Sequence, residues 1–300
     1  MRKRLFLIAL CLFTFSSYAQ DVEQTKALKR KVAIGRFSNV TKQSQSIFYD
    51  QESDQLGKQA SDILAMKLVS SDKFLLIERQ DYDKIANELI QTNRLSDTTS
   101  TQIGADFLII GSVTHLGRKT VGNQKLFSSS IKQEVEAGVS LRLVDVSTGL
   151  IVFSGEGKGN STVQDKKVMG FGERADFDAT LTDKAISAAI NQLVEEIINK
   201  CMDMPWKAYI LSEEDGSYIL SGGASQGIQV GDKYDILKPG KSVKNPQTGM
   251  MIQLPGKVIG ELQIDMTFGD TPSTEVSMAT LVSGDIQKDQ LSKYVVIEKK

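Results

Sequence analysis

The sequence is poor in the side chains that most catalytic and metal sites require. Its 300 residues include one histidine and two cysteines, and the formal net charge is −1. A zinc site needs Cys and His ligands in number, which this chain does not have. His115 is accompanied by no nucleophile motif such as G-x-S-x-G, which argues against a Ser-His-Asp hydrolase. We therefore expect no catalytic residue, no metal and no cofactor, and a protein that is not an enzyme.

Lysine and arginine show no clustering. The 36 basic residues are scattered along the chain rather than arranged as a stripe. A surface that follows nucleic-acid phosphates needs concentrated positive charge. Nucleic acid is therefore not an expected partner.

The first 19 residues predict export. Arg2-Lys3-Arg4 precede an apolar run from Leu5 to Phe15, and Ser17 and Ala19 are small residues suited to a cleavage site. This is the pattern of a secretory signal peptide. The apolar run is shorter than the about 20 residues of a transmembrane helix. We expect a protein of the periplasm.

A lipoprotein signal is the alternative interpretation of the same segment. It would require cleavage before Cys11, but Leu10 is bulky where such signals have a small residue. Removal of residues 1–19 would leave Cys201 as the one thiol of the mature chain. Cys201 closes an apolar helix face, so we expect a buried, unreactive thiol there.

Residues 20–203 alternate between strand-like and helix-like patterns, which predicts a layered α/β domain. The predicted strands are 31–37, 74–77, 107–113, 135–145 and 150–154. The predicted helices are 54–70, 81–94, a short one ending near 104, and 180–201. The glycine-rich run Gly155–Gly159 matches neither common phosphate-loop pattern, so we expect a flexible strand exit there.

Residues 204–300 have a different pattern. After Met204-Pro205-Trp206 the helical periodicity disappears, and short apolar runs are separated by Gly-Gly, Pro-Gly and Asn-Pro turns. The apolar runs lie at 208–211, 218–220, 233–237, 258–265, 276–281 and 294–298. This pattern predicts a small all-β domain, a partly open barrel.

Several motifs of the first domain resemble the CsgG family, which includes the curli-secretion channel of the bacterial outer membrane. They are Val32-Ala33-Ile34, FLLIER at 74–79, GADFLIIGS at 104–112 and LRLVDVSTG at 141–149. The resemblance covers about residues 30–200. The turns Gly227–Asp232, Asn245–Gly249 and Ser283-Gly284-Asp285 resemble the C-terminal β-domain of FlgT-type flagellar proteins, which implies an SH3-like barrel.

The resemblance implies a ring-shaped homo-oligomer in which each subunit contributes two β-hairpins. The first candidate hairpin, Arg118–Glu134, has no continuous apolar face. The second, Asn160–Ala179, is more apolar on one face, although Glu173 interrupts it. We expect a half-buried or contact hairpin there, and a membrane hairpin of a true pore is the alternative interpretation. Its outward apolar residues are Met169, Phe171, Ala175 and Phe177.

The loop over 38–53 contains an aromatic cluster, Ile47, Phe48 and Tyr49. By resemblance, this cluster matches a family loop near the constriction and subunit interface. A loop packed on its own domain is the alternative interpretation.

We therefore expect an exported, non-enzymatic component of an outer-membrane secretion or assembly system of the curli type. Its partners would be further copies of itself and other secretion or cell-envelope proteins, with peripheral association to the outer membrane. The alternative is a periplasmic regulator or adaptor without a pore. It would resemble LpoB-like activators of cell-wall synthases or flagellar accessory proteins.

Overall fold

In the computed structural model, a five-stranded sheet covered by two helices precedes a closed six-stranded barrel. The structure describes residues 27–41, 54–79, 104–125, 128–168, 180–247, 249 and 251–299. The predicted helices at 81–94 and near 104 lie outside the described residues or at their edge. The mixed α/β class and the barrel are confirmed.

The sheet combines parallel and antiparallel pairing. Its strands are β1 (Arg30–Asn39), β2 (Phe74–Ile77), β3 (Phe107–Lys125), β4 (Ser128–Asp145) and β5 (Ile151–Val168). They are ordered β2-β1-β3-β4-β5. β1 is parallel to β2 and β3, whereas β3, β4 and β5 form antiparallel pairs.

Two helices cover one face of this sheet. They are α1 (Gln55–Ser70) and α2 (Thr180–Asp203), each close to its predicted bounds. In α1 the buried Ala60, Leu64 and Leu68 recur every four residues, which places them on one face. None of the helices in the described part of the chain is both long and apolar enough to cross a membrane.

Three strands are longer than the sequence pattern predicted. β3 continues to Lys125 instead of ending at Val113, β4 begins at Ser128, and β5 ends at Val168. The added residues are mostly polar, so apolar periodicity could not reveal them. In their outermost parts, cross-strand backbone pairing continues although most of the described side chains there are exposed.

The glycine-rich run lies in the middle of β5, where α2 packs against the sheet. A Cβ on Gly157 would lie 2.1 Å from the carbonyl oxygen of Ala189, and one on Gly159 would lie 2.1 Å from that of Ala185. The expectation of a flexible strand exit is therefore wrong. Glycines at a spacing of two share one strand face, and alanines at a spacing of four share one helix face. Together they allow the two backbones to approach.

Gly157→Ala should destabilise the protein because the new methyl group would collide with the backbone of α2. Overpacking of this kind costs about 1–3 kcal/mol. Urea unfolding measures the loss. Gly122→Ala is the matched control in β3, because its added Cβ would have no other atom within 4 Å. Equal stability of the two variants would contradict this account of the glycine run.

The barrel contains every apolar run predicted for residues 204–300. Its strands are β6 (Lys207–Glu214), β7 (Ser217–Ser221), β8 (Lys233–Lys238), β11 (Lys257–Phe268), β12 (Val276–Gly284) and β13 (Val295–Glu298). The strands β9 (Ser242–Lys244) and β10 (Met251–Gln253) form a separate hairpin between β8 and β11. The barrel order is β11-β12-β7-β6-β13-β8.

The barrel is closed, which corrects the expectation of a partly open one. The short strand β13 pairs with β6 on one side and β8 on the other. This long-range pairing of the chain terminus leaves no open edge at that position. The SH3-like identity and the division of domains at residue 204 stay predictions.

A buried arginine connects the sheet to the barrel. Arg30, 2% exposed, donates hydrogen bonds to the Leu28 carbonyl at 2.9 Å, the Met204 carbonyl at 2.8 Å and Glu298 Oε1 at 2.8 Å. Glu298 Oε1 also accepts a hydrogen bond from the backbone N–H of Trp206 at 2.9 Å. The Leu28 side chain packs in the barrel core. The first strand of the sheet and the last strand of the barrel therefore meet at one carboxylate.

Candidate assembly surface

Beyond the start of α2, three strands continue as an arm. Arg118 at the end of the helix-covered part donates from Nη2 to Thr182 Oγ1 at 3.3 Å. We define the arm as residues 119–125, 128–134 and 161–168. Backbone pairing continues along the whole arm, and its last pairs are Lys125 opposite Ser128 and Ser128 opposite Val168. Seven residues at about 3.3 Å each give an arm about 23 Å long.

The described side chains of the arm are mostly polar and exposed. Lys132 and Glu134 form an ion pair at 3.4 Å, and exposed pairs of this kind contribute little stability. A cleft of about 540 Å³ at the base of the arm has Lys119, Glu134 and Lys158 in its lining. Val121 is 40% exposed. Such a surface of mixed charge has the character of the polar rim of a protein interface rather than of its core.

The described residues on either side of the aromatic cluster, 39–41 and Asp54, lie at the end of the sheet from which the arm extends. Asp54 Oδ2 accepts the Asn39 N–H at 2.7 Å, and Asp54 Oδ1 accepts the Gly57 N–H at 2.8 Å as the N-cap of α1. The Val40 N–H bonds to the Val113 carbonyl at 2.9 Å. One carboxylate therefore fixes the end of β1 to the start of α1.

The predicted contact residues themselves lie outside the described residues. This applies to Ile47, Phe48 and Tyr49 and to Met169, Phe171, Ala175 and Phe177. The described neighbours show where these segments attach. The first leaves from Thr41 and returns at Asp54, and the second follows Val168 at the tip of the arm. The roles of all seven residues stay predictions.

The motif residue Asp106 lies at the other end of the sheet and has a structural role. It exchanges backbone and side-chain hydrogen bonds with Lys31: its N–H donates to the Lys31 carbonyl at 2.7 Å, and its Oδ2 accepts the Lys31 N–H at 2.8 Å. Its carbonyl accepts the Val146 N–H at 3.1 Å. Asp106 therefore joins β1, β3 and the turn after β4.

Asp145 shapes that turn. Its Oδ1 accepts hydrogen bonds from the Ser147 N–H at 2.8 Å, the Ser147 hydroxyl at 2.6 Å and the Thr148 N–H at 3.3 Å. Gly149 adopts a φ of +70°, which glycine tolerates best. The VDVSTG motif is thus a turn with its own internal hydrogen bonds.

Asp106 also lines a pocket of about 270 Å³ between the sheet and the barrel, with Lys31 and Lys207. Burial raises the pKa of the Asp106 carboxyl, and the Lys31 N–H and nearby cations only partly offset this effect. A raised pKa in the folded state means that ionisation of Asp106 opposes folding. The contribution of Asp106 to the free energy of unfolding therefore falls as the pH rises from 3.8, the ordinary pKa of the carboxyl, through its raised pKa in the folded protein.

Asp106→Asn should retain an acceptor for the Lys31 N–H and remove the buried charge. We expect the variant to be as stable as the parent or more stable near neutral pH. The difference should shrink as the pH falls to roughly 3.5, where both side chains are neutral. Urea unfolding across this pH range measures it. A variant whose disadvantage grows with pH would show that the ionised carboxylate stabilises the fold.

The two candidate reactive residues have different surroundings. Cys201 is buried in the core below the helices, as predicted, and burial raises the pKa of its thiol to about 12. His115 lies opposite Gly138 in the β3–β4 ladder. Within the described ranges, no three His, Cys, Asp or Glu side chains gather as candidate metal ligands.

Sequence reasoning missed two exposed apolar features. A groove of about 910 Å³ between α1 and α2 is lined in part by Ile63, Met66 and Val194. The outer wall of the barrel carries exposed Tyr209, Leu211, Met266 and Phe268. The signal available for the barrel was a run of apolar residues at inward and outward positions alike in AYIL at 208–211. Met266 and Phe268 gave no such signal, because a register shift between Ile264 and Met266 follows an apparently regular alternation.

The fold is that of a mixed α/β layer in which three strands extend past their helices, followed by a small barrel. A family model described as "Curli production assembly/transport component CsgG" matches residues 15–223. The chain belongs to the CsgG family, which confirms the resemblance of its motifs. Most of the barrel lies beyond the matched residues, and its FlgT-type resemblance stays a prediction.

Individual relatives are more distant. A protein of Neisseria meningitidis serogroup B named as a candidate lipoprotein, NMB1126/NMB1164, is 31% identical over 204 residues, which are 65% of this chain and 89% of the relative. The PelC dodecamer from Paraburkholderia phytofirmans is 18% identical with a TM-score of 0.28, covering 55% of this chain and 86% of that chain. The LpoB C-terminal domain from Salmonella enterica is 17% identical with a TM-score of 0.21, covering 44% and 83%.

Proposed function

We propose that this protein is an exported, non-enzymatic component of an envelope secretion or assembly system of the curli type, which acts as a homo-oligomer in the periplasm and associates with the outer membrane. The observation that carries the proposal is the arm on a CsgG-family α/β layer. Membership of a family described as a transport and assembly component, and a relative named as a lipoprotein, support the envelope location.

The arm is suited to joining copies because β5 forms one edge of the sheet. Within the described residues, β5 pairs with β4 on one side only. An edge strand presents unpaired N–H and C=O groups to another chain. The Lys158 N–H already donates to Gln192 Oε1 of α2 at 3.0 Å, so the edge proposed for the contact is the arm part of β5, residues 161–168.

The aromatic loop would complete the contact at the base of the arm. We propose that Ile47, Phe48 and Tyr49 line a subunit interface or a constriction, because Asp54 fixes the ends of their segment beside the arm. Met169, Phe171, Ala175 and Phe177 would form a further contact after the arm tip. Other secretion or envelope proteins would bind the assembled subunits.

A pore-free periplasmic regulator or adaptor, LpoB-like or of the flagellar accessory type, is the second candidate function. The polar, exposed side chains of the described arm favour it over a conducting channel, because a lysine facing lipid at mid-membrane costs about 2–4 kcal/mol. An adaptor would act as a monomer or dimer.

Mass photometry of the full chain distinguishes these functions. Assembly through the arm predicts a high-order oligomer, and Thr162→Lys with Gln164→Lys should dissociate it, because both exposed positions follow the open edge. Met66→Lys with Val69→Lys adds the same charge on α1, where the two side chains are 62% and 59% exposed, and should leave the particle size unchanged. A parent protein that is monomeric at all concentrations would overturn the assembly and favour the adaptor.

Phe48→Ala tests the aromatic loop. If Phe48 contacts another subunit, the variant should reduce the oligomer population without lowering the thermal unfolding temperature. A loop packed on its own domain predicts the reverse, with a lower unfolding temperature and unchanged particle size. Comparing both readouts on the same sample therefore identifies which of the two roles Phe48 has.

A further inference from the structure

The surface charge of the barrel is divided between two regions. From Ala208 to Asp232 and from Val258 to Gln287 the chain contains acidic residues and no lysine or arginine. From Lys238 to Lys257 it contains four lysines and no acidic residue. A net charge near zero for the whole chain conceals this division.

The acidic region carries an exposed apolar surface, which we call the acidic patch. It comprises the outward side chains of four adjacent strands: Tyr209, Leu211, Ile219, Met266, Phe268, Val276 and Met278. Cross-strand pairing makes them neighbours, since Met266 lies opposite Met278 and Phe268 opposite Val276. Leu211, Met266 and Phe268 are 56%, 49% and 45% exposed.

Outward positions of a solvated antiparallel sheet are normally polar, so this patch needs a partner. Two exposed carboxylates lie at its border: Glu214, three residues after Leu211, and Asp270, two residues after Phe268. The partner should therefore present apolar side chains together with positive charge.

The hairpin of β9 and β10, which we call the basic hairpin, has that chemistry. Val243, Ile252 and Leu254 are 41%, 46% and 44% exposed, and Lys241 and Lys244 flank them. In the described residues these two strands form a sheet of their own, apart from the barrel wall. A two-stranded hairpin is marginally stable alone, so packing against another surface would stabilise it.

The two surfaces lie at opposite ends of β11. The basic hairpin ends just before Lys257, the first residue of this strand, whereas Met266 and Phe268 lie at its other end. A copy with different, complementary surfaces on two sides can join to identical copies head to tail. Contact between two acidic patches would instead bring like charges together.

We propose that the basic hairpin of one copy binds the acidic patch of a second copy. This contact rests on the homo-oligomer proposed above and adds a barrel-to-barrel interface to it. The apolar side chains of the hairpin would cover Met266 and Phe268, and Lys241 and Lys244 would face Glu214 and Asp270.

Site-directed cross-linking between two single variants of the full chain tests the contact. Lys244→Cys and Asp270→Cys are made in separate proteins and mixed under mild oxidation. We expect a covalent dimer in the mixture and little in either variant alone, with the parent chain as the control for its own thiols. Equal cross-linking of Asp270→Cys alone would show a symmetric patch and overturn the proposal.

Charge reversal provides the independent measurement. Here Lys257→Cys supplies the thiol of the copy that offers the hairpin, and Asp270→Cys supplies the thiol of the second copy. Adding Lys241→Glu and Lys244→Glu to the first protein should lower the cross-linking yield by about tenfold or more. Reversal of the partner charge by Glu214→Lys should recover part of the yield. Phe268→Ser should also lower the yield, whereas Val230→Ser, 66% exposed outside both surfaces, should not.

The outcomes separate this contact from the assembly as a whole. High-order particles without any barrel cross-link would overturn the barrel contact and leave the arm-based assembly intact. Monomers without cross-links would overturn both. Binding of the basic hairpin to vesicles containing anionic lipid, lost in the Lys241→Glu and Lys244→Glu variant and without protein cross-links, would assign the hairpin to a membrane surface instead.

Discussion

The hydrogen-bonded ion pair of Arg30 and Glu298 is the contact on which the relation between sheet and barrel depends. A buried charge is costly unless it is paired and its other hydrogen bonds are satisfied. Arg30 meets most of this condition: Nη1 and Nη2 donate to two carbonyl oxygens and to Glu298, and Nε alone has no hydrogen-bond partner among the described residues. Because Glu298 ends β13, the strand that closes the barrel, the same carboxylate links barrel closure to the first strand of the sheet. Removing Glu298 would leave the buried guanidinium of Arg30 without its carboxylate, whereas Glu298 is 28% exposed and could be solvated without Arg30.

β1 also explains why the contact surfaces lie at separate ends of the molecule. The strand begins at Arg30 beside the barrel and ends at Asn39, where Asp54 receives its N–H. The arm continues from that second end. The motif residues Asp106 and Asp145 lie at the barrel end and are engaged in turns and strand junctions. The motifs that identify the family therefore build the fold, and the arm that we assign to assembly carries no such motif.

The parts of the fold that could be predicted from the sequence are those built by buried residues and family motifs, and the arm is not one of them. Apolar periodicity found β1, α1 and α2 because their buried residues determine their positions. It could not find the outer halves of β3, β4 and β5, where backbone pairing continues and most side chains are polar.

The glycine run Gly155–Gly159 shows a second limit, because glycines considered one at a time indicate a flexible segment. The facing alanines of α2 show that their shared role is close packing. Barrel closure depended on a pairing between residues almost 90 positions apart, Ala208 with Val296, which no local pattern encodes. The predicted contact residues around Phe48 and Phe171 lie outside the described residues.

The arm edge and the two barrel surfaces share one geometric property, which connects the proposals. Each is directional: the described arm has two different edges, β5 and the part of β3 beyond Val113, where the pairing with β1 ends, and the acidic patch and the basic hairpin differ from each other. Directional contacts between identical copies are heterologous, and they produce closed rings when the rotation between neighbours closes. An exposed strand edge and charged surface contacts are each weak in water. The Arg30–Glu298 ion pair holds the sheet and the barrel, and so the two contacts, at a fixed separation. Two contacts between the same neighbours would then reinforce each other, because the second one forms within a pair that is already associated. A rigid connection between sheet and barrel is therefore as important to assembly as either surface.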